Sequence, residues 1–408
     1  MARIRGLRAR IAARGALARA AATFAVILAT AGMCSASVTV DQVYKIPASG
    51  TFTVIGHGFG HGHGMGQYGA EGAARAGLGY ADILAFYYPG TAMGSVGGTI
   101  RVLITADTTD DVVVLDSPGL RVKNLATGTT YALTKAGASR WRIKVVSGQP
   151  RVYYRTSTGW HRYWRATISG DGEFSDTDGR LTLVTPSGQR TYRGALRSAA
   201  PSKGSTARDT VNVVSVENYV KGVVPAEMPA SWSPQALRAQ AVAARTYGMW
   251  SRQSRIDRSW QICDTTACQV YRGYDGEATS TNQAVDATAG AILTYNGVPA
   301  FTQFSASSGG YTSAGSVPYL PHQPDPYDDW SGNRVHSWSI DVKASVAQKK
   351  YPSIGTLTAI KVTRREGDGD WGGRVLDLTL VGTQGTKTLT GAQFRSLYGL
   401  RSNWFAIT

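Results

Sequence analysis

Glu227 closes the stretch Glu217-Asn-Tyr-Val-Lys-Gly-Val-Val-Pro-Ala-Glu, with Pro225 two residues before it and Pro229 two after. Both prolines restrict the backbone around the carboxyl. Its sequence neighbours Val223, Val224, Met228 and Trp232 are apolar. A carboxyl in such company is desolvated, which raises its pKa and suits a general acid. The same pattern also fits a surface carboxylate or a structural partner for Arg238 or Arg245. A second constellation is the run in which Gly56, Gly58, Gly60, Gly62, Gly64 and Gly66 alternate with His57, Phe59, His61, His63 and Met65, before Gln67 and Tyr68. On a strand this run puts every side chain on one face, roughly 6.6 Å apart, and leaves the other face bare for close backbone approach. A flexible glycine linker is the plainer reading, but linkers favour serine over histidine and phenylalanine.

The elements that must position these groups can be read around them. Gln67–Ala76 and Asp82–Tyr88 read as two short helices, the second stopped by Pro89-Gly90. Residues 99–210 hold short β-rich runs, among them Ile100–Thr105, Val112–Leu115, Arg151–Arg155 and Leu181–Thr185, between Gly, Asp, Ser and Thr turns. Val211–Val216 reads as a strand leading to the glutamate stretch. Ser233-Pro234 makes an N-cap and first-turn pair for an alanine-rich helix from Gln235 to about Trp250. That helix is apolar nearly all round, so it should be buried. At least one of Arg238, Gln240 and Arg245 then needs an internal partner. Thr281–Leu293 reads as a helix running into a strand, and Phe301–Thr312 as a strand entering a Ser/Gly turn.

The 408 residues carry 43 Lys and Arg against 27 Asp and Glu, a net charge of +16. Residues 1–36 read as a secretory leader: six arginines, an apolar stretch Ala20–Ala31, and a cut after Ala36. Those six arginines come with no acid, so the chain after the leader still carries +10. A basic secreted protein attracts anionic cell-wall polymers or membrane surfaces. The basic residues are scattered and form no nucleic-acid motif, so nucleic acid is not an expected partner. Cys34 leaves with the leader. Cys263 and Cys268 then most simply form a disulfide in an oxidising compartment.

Several long stretches resemble the SpoIID/LytB family. They are Glu217–Pro229, Ala236–Tyr247, Cys268–Gly273, Ser305–Thr312, and the Gly/His run with Met65, Gln67, Tyr68, Gly69 and Ala70. The resemblance implies a lytic transglycosylase acting on peptidoglycan glycan strands, or an enhancer of a cell-wall amidase. It carries the family's catalytic glutamate onto Glu227. It makes His61, Gln67, Tyr68, Arg245, Ser305, Ser307 and Ser308 the expected substrate-binding residues. Ordinary glycosidases use two carboxylates, and only Glu217 and Glu277 offer themselves here as a second. The Gly/His run follows the rest of the domain in that family but precedes it here, which implies a circular permutation. His57 and His63 are additional to the family's single histidine, matched by His61. His61 and His63 could bind a metal from one face, but no third ligand lies nearby, and no cofactor or metal is expected. The expected fold is α+β, with antiparallel sheets around the buried helix Gln235–Trp250. Residues 37–408 are expected to form one catalytic unit, with parts at 50–98, 99–210 and 211–408.

Overall fold

The computed structural model describes residues 37–408, so the leader expected at 1–36 lies outside the described residues. The fold is α+β, and among the described residues it has seven α-helices and mostly antiparallel strands. An 11-stranded sheet takes in the β-rich region, the strand Asp209–Ser215, its antiparallel neighbour Thr99–Leu103, and the short parallel strand Ile262–Cys263. On this sheet lies the helix Pro234–Ser254, with Ala236, Leu237, Ala241, Val242 and Ala244 fully packed in the main core. Ser233 is its N-cap residue and Pro234 its first helical residue. The Ser233 hydroxyl does not accept from the helix. Its Oγ and N–H both donate to the buried Glu71 carboxylate, at 3.1 and 2.8 Å, tying this helix to the helix Gln67–Arg75.

A second core gathers Phe52, Val54, Leu378, Phe394, Phe405 and Ile407. Here the strand Thr51–His57 is central, paired antiparallel with Ser337–Lys343 on one side and Phe405–Ile407 on the other. The chain leaves this second core at His57 and enters the main core at Met65. The Gly/His run is the crossing between them.

That run is not the strand its alternation suggests. The strand stops at His57, and Gly58, Gly60, Gly62 and Gly64 take φ values of 72°, 111°, 79° and 66°. Alternation here supplies a left-handed backbone at every second residue, which only glycine adopts without strain. The expected close approach does occur. A Cβ would strike the Ser307 carbonyl at Gly58, Ser305 at Gly60, the Arg374 guanidinium at Gly62 and the Gln303 carbonyl at Gly64. The stretch ends in the two-residue strand Met65–Gly66, parallel to Phe304–Ser305.

Candidate active site

Glu227 is the last residue of the helix Val216–Glu227, which Ser215 caps by accepting from the Asn218 N–H at 3.3 Å. Pro225 sits in the final turn. The carboxyl opens onto a cavity of about 300 Å³ walled by His61, Tyr247, Cys268, Gln269, Gln303 and Phe304. Burial pushes its pKa up, while the Val270 N–H, the Gln67 amide and the Arg272 charge pull the other way. Its position at the negative end of the helix dipole further disfavours the anion. The two hydrogen bonds are long, 3.2 Å from Val270 N and 3.4 Å from Gln67 Nε2. No Lys or Arg forms an ion pair with it among the described residues. Glu227 is also the only Asp or Glu among the residues lining this cavity.

Three separated segments bring the other groups in. Gln67 opens the helix that follows the Gly/His run, and its amide also reaches Gln240 Oε1 at 3.5 Å. Val270 comes from the loop after the Cys263–Cys268 disulfide, whose Cα atoms are 5.5 Å apart. Tyr247 comes from the long helix. His61 forms a wall of the cavity and is held neutral, its pKa pushed down to about 3 by burial and by the nearby His63, Arg374 and Arg395. Its Nδ1 accepts from the His63 N–H at 3.0 Å and its ring bonds the Phe304 carbonyl, so the proton sits on Nε2. His61 is therefore a shaping and contact group rather than a base. His63 stacks on it at 5.0 Å and turns its Nδ1 to the Ser313 carbonyl. His57 lies elsewhere, between Asp370 and Ser337, so the three histidines do not converge. Among the described residues no three His, Cys, Asp or Glu side chains gather as metal ligands.

Several residues expected to meet substrate are instead spent inside the protein. Arg245 has no exposed surface. It donates to both oxygens of Glu217, at 3.0 and 2.7 Å, and to the Ala291 carbonyl. It is the buried helix's internal partner, and the same pair removes Glu217 as a second acid. Glu277 is likewise taken by Arg193 and Asn282. Ser307 donates to Asp328 and Ser308 to Asp325, while Ser305 accepts from the Gly62 N–H at 3.2 Å. These serines brace the Gly/His crossing from behind, and their hydroxyls are buried. Tyr68 packs edge-on against Trp232 at 4.9 Å and does not line the cavity. Tyr247, Gln269, Gln303 and the Val270 N–H were not singled out from the sequence. Gln269 leaves its Nε2 unpartnered while its Oε1 accepts from Tyr219 at 2.6 Å. Only its place in Cys268–Gly273, beside a cysteine, could have drawn attention to it.

Residues 204–295 match the family model SpoIID, Stage II sporulation protein. The matched segment contains Glu227, the long helix and the disulfide loop. The chain is 46% identical over 160 residues to the amidase enhancer of Bacillus subtilis, covering 37% of this chain and 22% of that protein. It is 31% identical over 219 residues to the stage II sporulation protein D of the same organism, covering 48% and 61%. A Brachyspira hyodysenteriae protein of uncharacterized function is 43% identical over 117 residues, 27% of this chain and 32% of its own. The chain thus spans less than two thirds of the length of each of these relatives.

Proposed function

We propose that the protein is a secreted lytic transglycosylase of the SpoIID family that cleaves peptidoglycan glycan strands with Glu227 as its single acid and base. The observation that carries this reading is a lone carboxyl on a cavity, with a raised pKa, no ion-paired cation and no second acid lining the wall. The protonated Glu227 gives its proton to the bridging glycosidic oxygen as the C1–O bond breaks. The resulting carboxylate then removes the proton of the C6 hydroxyl of the same muramic acid, whose oxygen bonds to C1. The product is a 1,6-anhydro end, no water is consumed, and the acid is restored. Glycosidases that add water need a second carboxylate, which this cavity does not offer. The Cys263–Cys268 disulfide fits an extracellular setting. The permuted order finds support in the pairing of Thr51–His57 with Phe405–Ile407, which joins the Gly/His crossing to the far end of the chain.

Digestion of purified peptidoglycan followed by mass spectrometry tests the reading. The wild type yields anhydro-muramyl ends, and Glu227→Gln loses about 10²–10⁴-fold in rate. The rate should fall as pH rises through the raised pKa of Glu227, because the acid form starts the reaction. Equal activity in Glu227→Gln, or hydrolytic ends without anhydro sugar, overturns it. The identity to the amidase enhancer favours a second reading, in which the chain binds glycan or a cell-wall amidase without cutting. That reading expects faster amidase turnover on addition of the chain, unchanged by Glu227→Ala.

A further inference from the structure

The end of the large sheet farthest along its strand order, Arg140–Val146, Gln149–Thr156 and the edge strand Gly159–Thr167, has an outward face of unusual composition. Cross-strand partners share a face. One row across it is Arg140, Arg155 and Trp160; the next is Arg142, Tyr153 and Arg162; Lys144 and Arg151 pair below. The inward-facing Trp141, Ile143 and Val152 are buried, so the polar side is the solvent side. Cations and rings interleave: the Arg142 guanidinium lies 4.3 Å from the Trp160 centroid and 5.0 Å from Tyr153. Among the described residues Asp111 is the one acid paired to this face, at 3.1 Å from Arg142 and 3.7 Å from Lys144.

Beside the edge strand a cavity of about 500 Å³ is walled by Lys135, Tyr154, Arg162, Trp164 and Arg165, with no Asp or Glu in its lining. Trp164 is 72% exposed, with the Arg162 guanidinium 3.4 Å from its ring centroid. A tryptophan that open on a protein surface has little to gain from folding and suits contact with a ligand. We propose that this groove and the adjoining face bind an anionic polysaccharide, a sugar ring stacking on Trp164 while its acidic groups pair with Arg162, Arg165 and the row of guanidiniums. Arginine outnumbers lysine six to two among these cations, and its planar fork matches carboxylate or phosphate in a way an ammonium does not. Nucleic acid is disfavoured because Trp160 and Tyr153 are only half-exposed, so Trp164 is the one widely open ring on this face and successive bases find no ladder of rings. The site is separate from Glu227 and does not depend on cleavage there.

Affinity electrophoresis through gels containing polygalacturonate, dextran, inorganic polyphosphate or poly(U) tests it. Polygalacturonate should retard the wild type, with binding that weakens as salt rises, and dextran should not. Trp164→Ala and the double variant Arg162→Gln with Arg165→Gln should each bind about tenfold more weakly. Both change exposed or edge side chains, and unchanged melting confirms that the fold persists. Equal retardation by polyphosphate, or an unaffected Trp164→Ala, would reduce the site to a ring-blind cationic patch and overturn the proposal. Tighter retention by poly(U), or no retention by polygalacturonate, overturns it as well.

Discussion

Two acid sites, the fully buried Asp328 and the half-buried Glu227, are built to opposite rules. Asp328 has no exposed surface and is saturated with donors: Ser307 Oγ, the N–H groups of Ser308 and Gly309, Asn333 Nδ2 and His336 Nδ1, all within 2.8 to 3.1 Å. Glu227 receives two donors, neither closer than 3.2 Å. A carboxylate with many short bonds to its charged form is fixed in place and chemically quiet. One that is desolvated and under-served keeps its proton and can give it away. Asp325 is a third case. It takes bonds from Tyr87 and Ser308, yet burial and the Asp328 charge push its pKa up to about 7. Burial alone therefore does not set an acid's protonation; the donors and the charges turned toward it decide as well.

The largest effect should come from unloading the saturated site. Asp328→Ala strands five donors inside the protein and should cost about 3–5 kcal/mol of stability in denaturant unfolding. Glu227→Ala leaves only two weak donors and should move stability by less than about 1 kcal/mol. Comparable losses in the two variants would break the contrast.

Asp325 gives a pH test. Folded Asp325 holds its proton up to about 7 while the unfolded chain releases it near 3.8. At this group the folded state thus binds more protons in that window, so its contribution to stability declines as pH rises from 3.8 to 7, against the opposite contribution of His61. His336, its pKa raised from 6.5 by its bond to Asp328, adds a decline of the same sign above that value. Asp325→Asn mimics the protonated acid and removes that decline, so the variant's melting temperature should gain on the wild type's as pH rises across the window. A slope unchanged from wild type would count against the assignment.

The smallest expected effect sharpens the comparison at Glu227 itself. Gln67→Leu removes one of the two donors, so the acid form gains and the alkaline limb of the activity profile should move upward by under about one pH unit. A downward move would show that Gln67 does not serve the carboxylate.

Much of the frame was legible in the residues. The strand Val112–Leu115, the helix Pro234–Ser254 and the start of the helix at Gln67 fall where periodicity and Ser-Pro or Gly punctuation put them. Glu227 stood out because its apolar neighbours are adjacent in sequence. The strand reading of the Gly/His run failed because alternation has two causes, pleat and repeated left-handed turns, and only backbone dihedrals separate them.

The sequence by itself determined the α+β pattern, the buried alanine-rich helix, the apolar setting of Glu227 and the close approach at the glycines. Those are properties of near neighbours along the chain. Tertiary structure decided which polar groups remain available. Arg245 is consumed by Glu217, 28 residues before it, and Ser307 by Asp328, 21 residues beyond it, while Gln67 reaches Glu227 across 160 residues. A hydrogen bond depends on where two atoms meet in space, and sequence spacing does not limit that distance once the chain is folded. The Val270 N–H shows the same limit most plainly: every residue but proline carries that donor, and only the fold aims this one at the carboxyl.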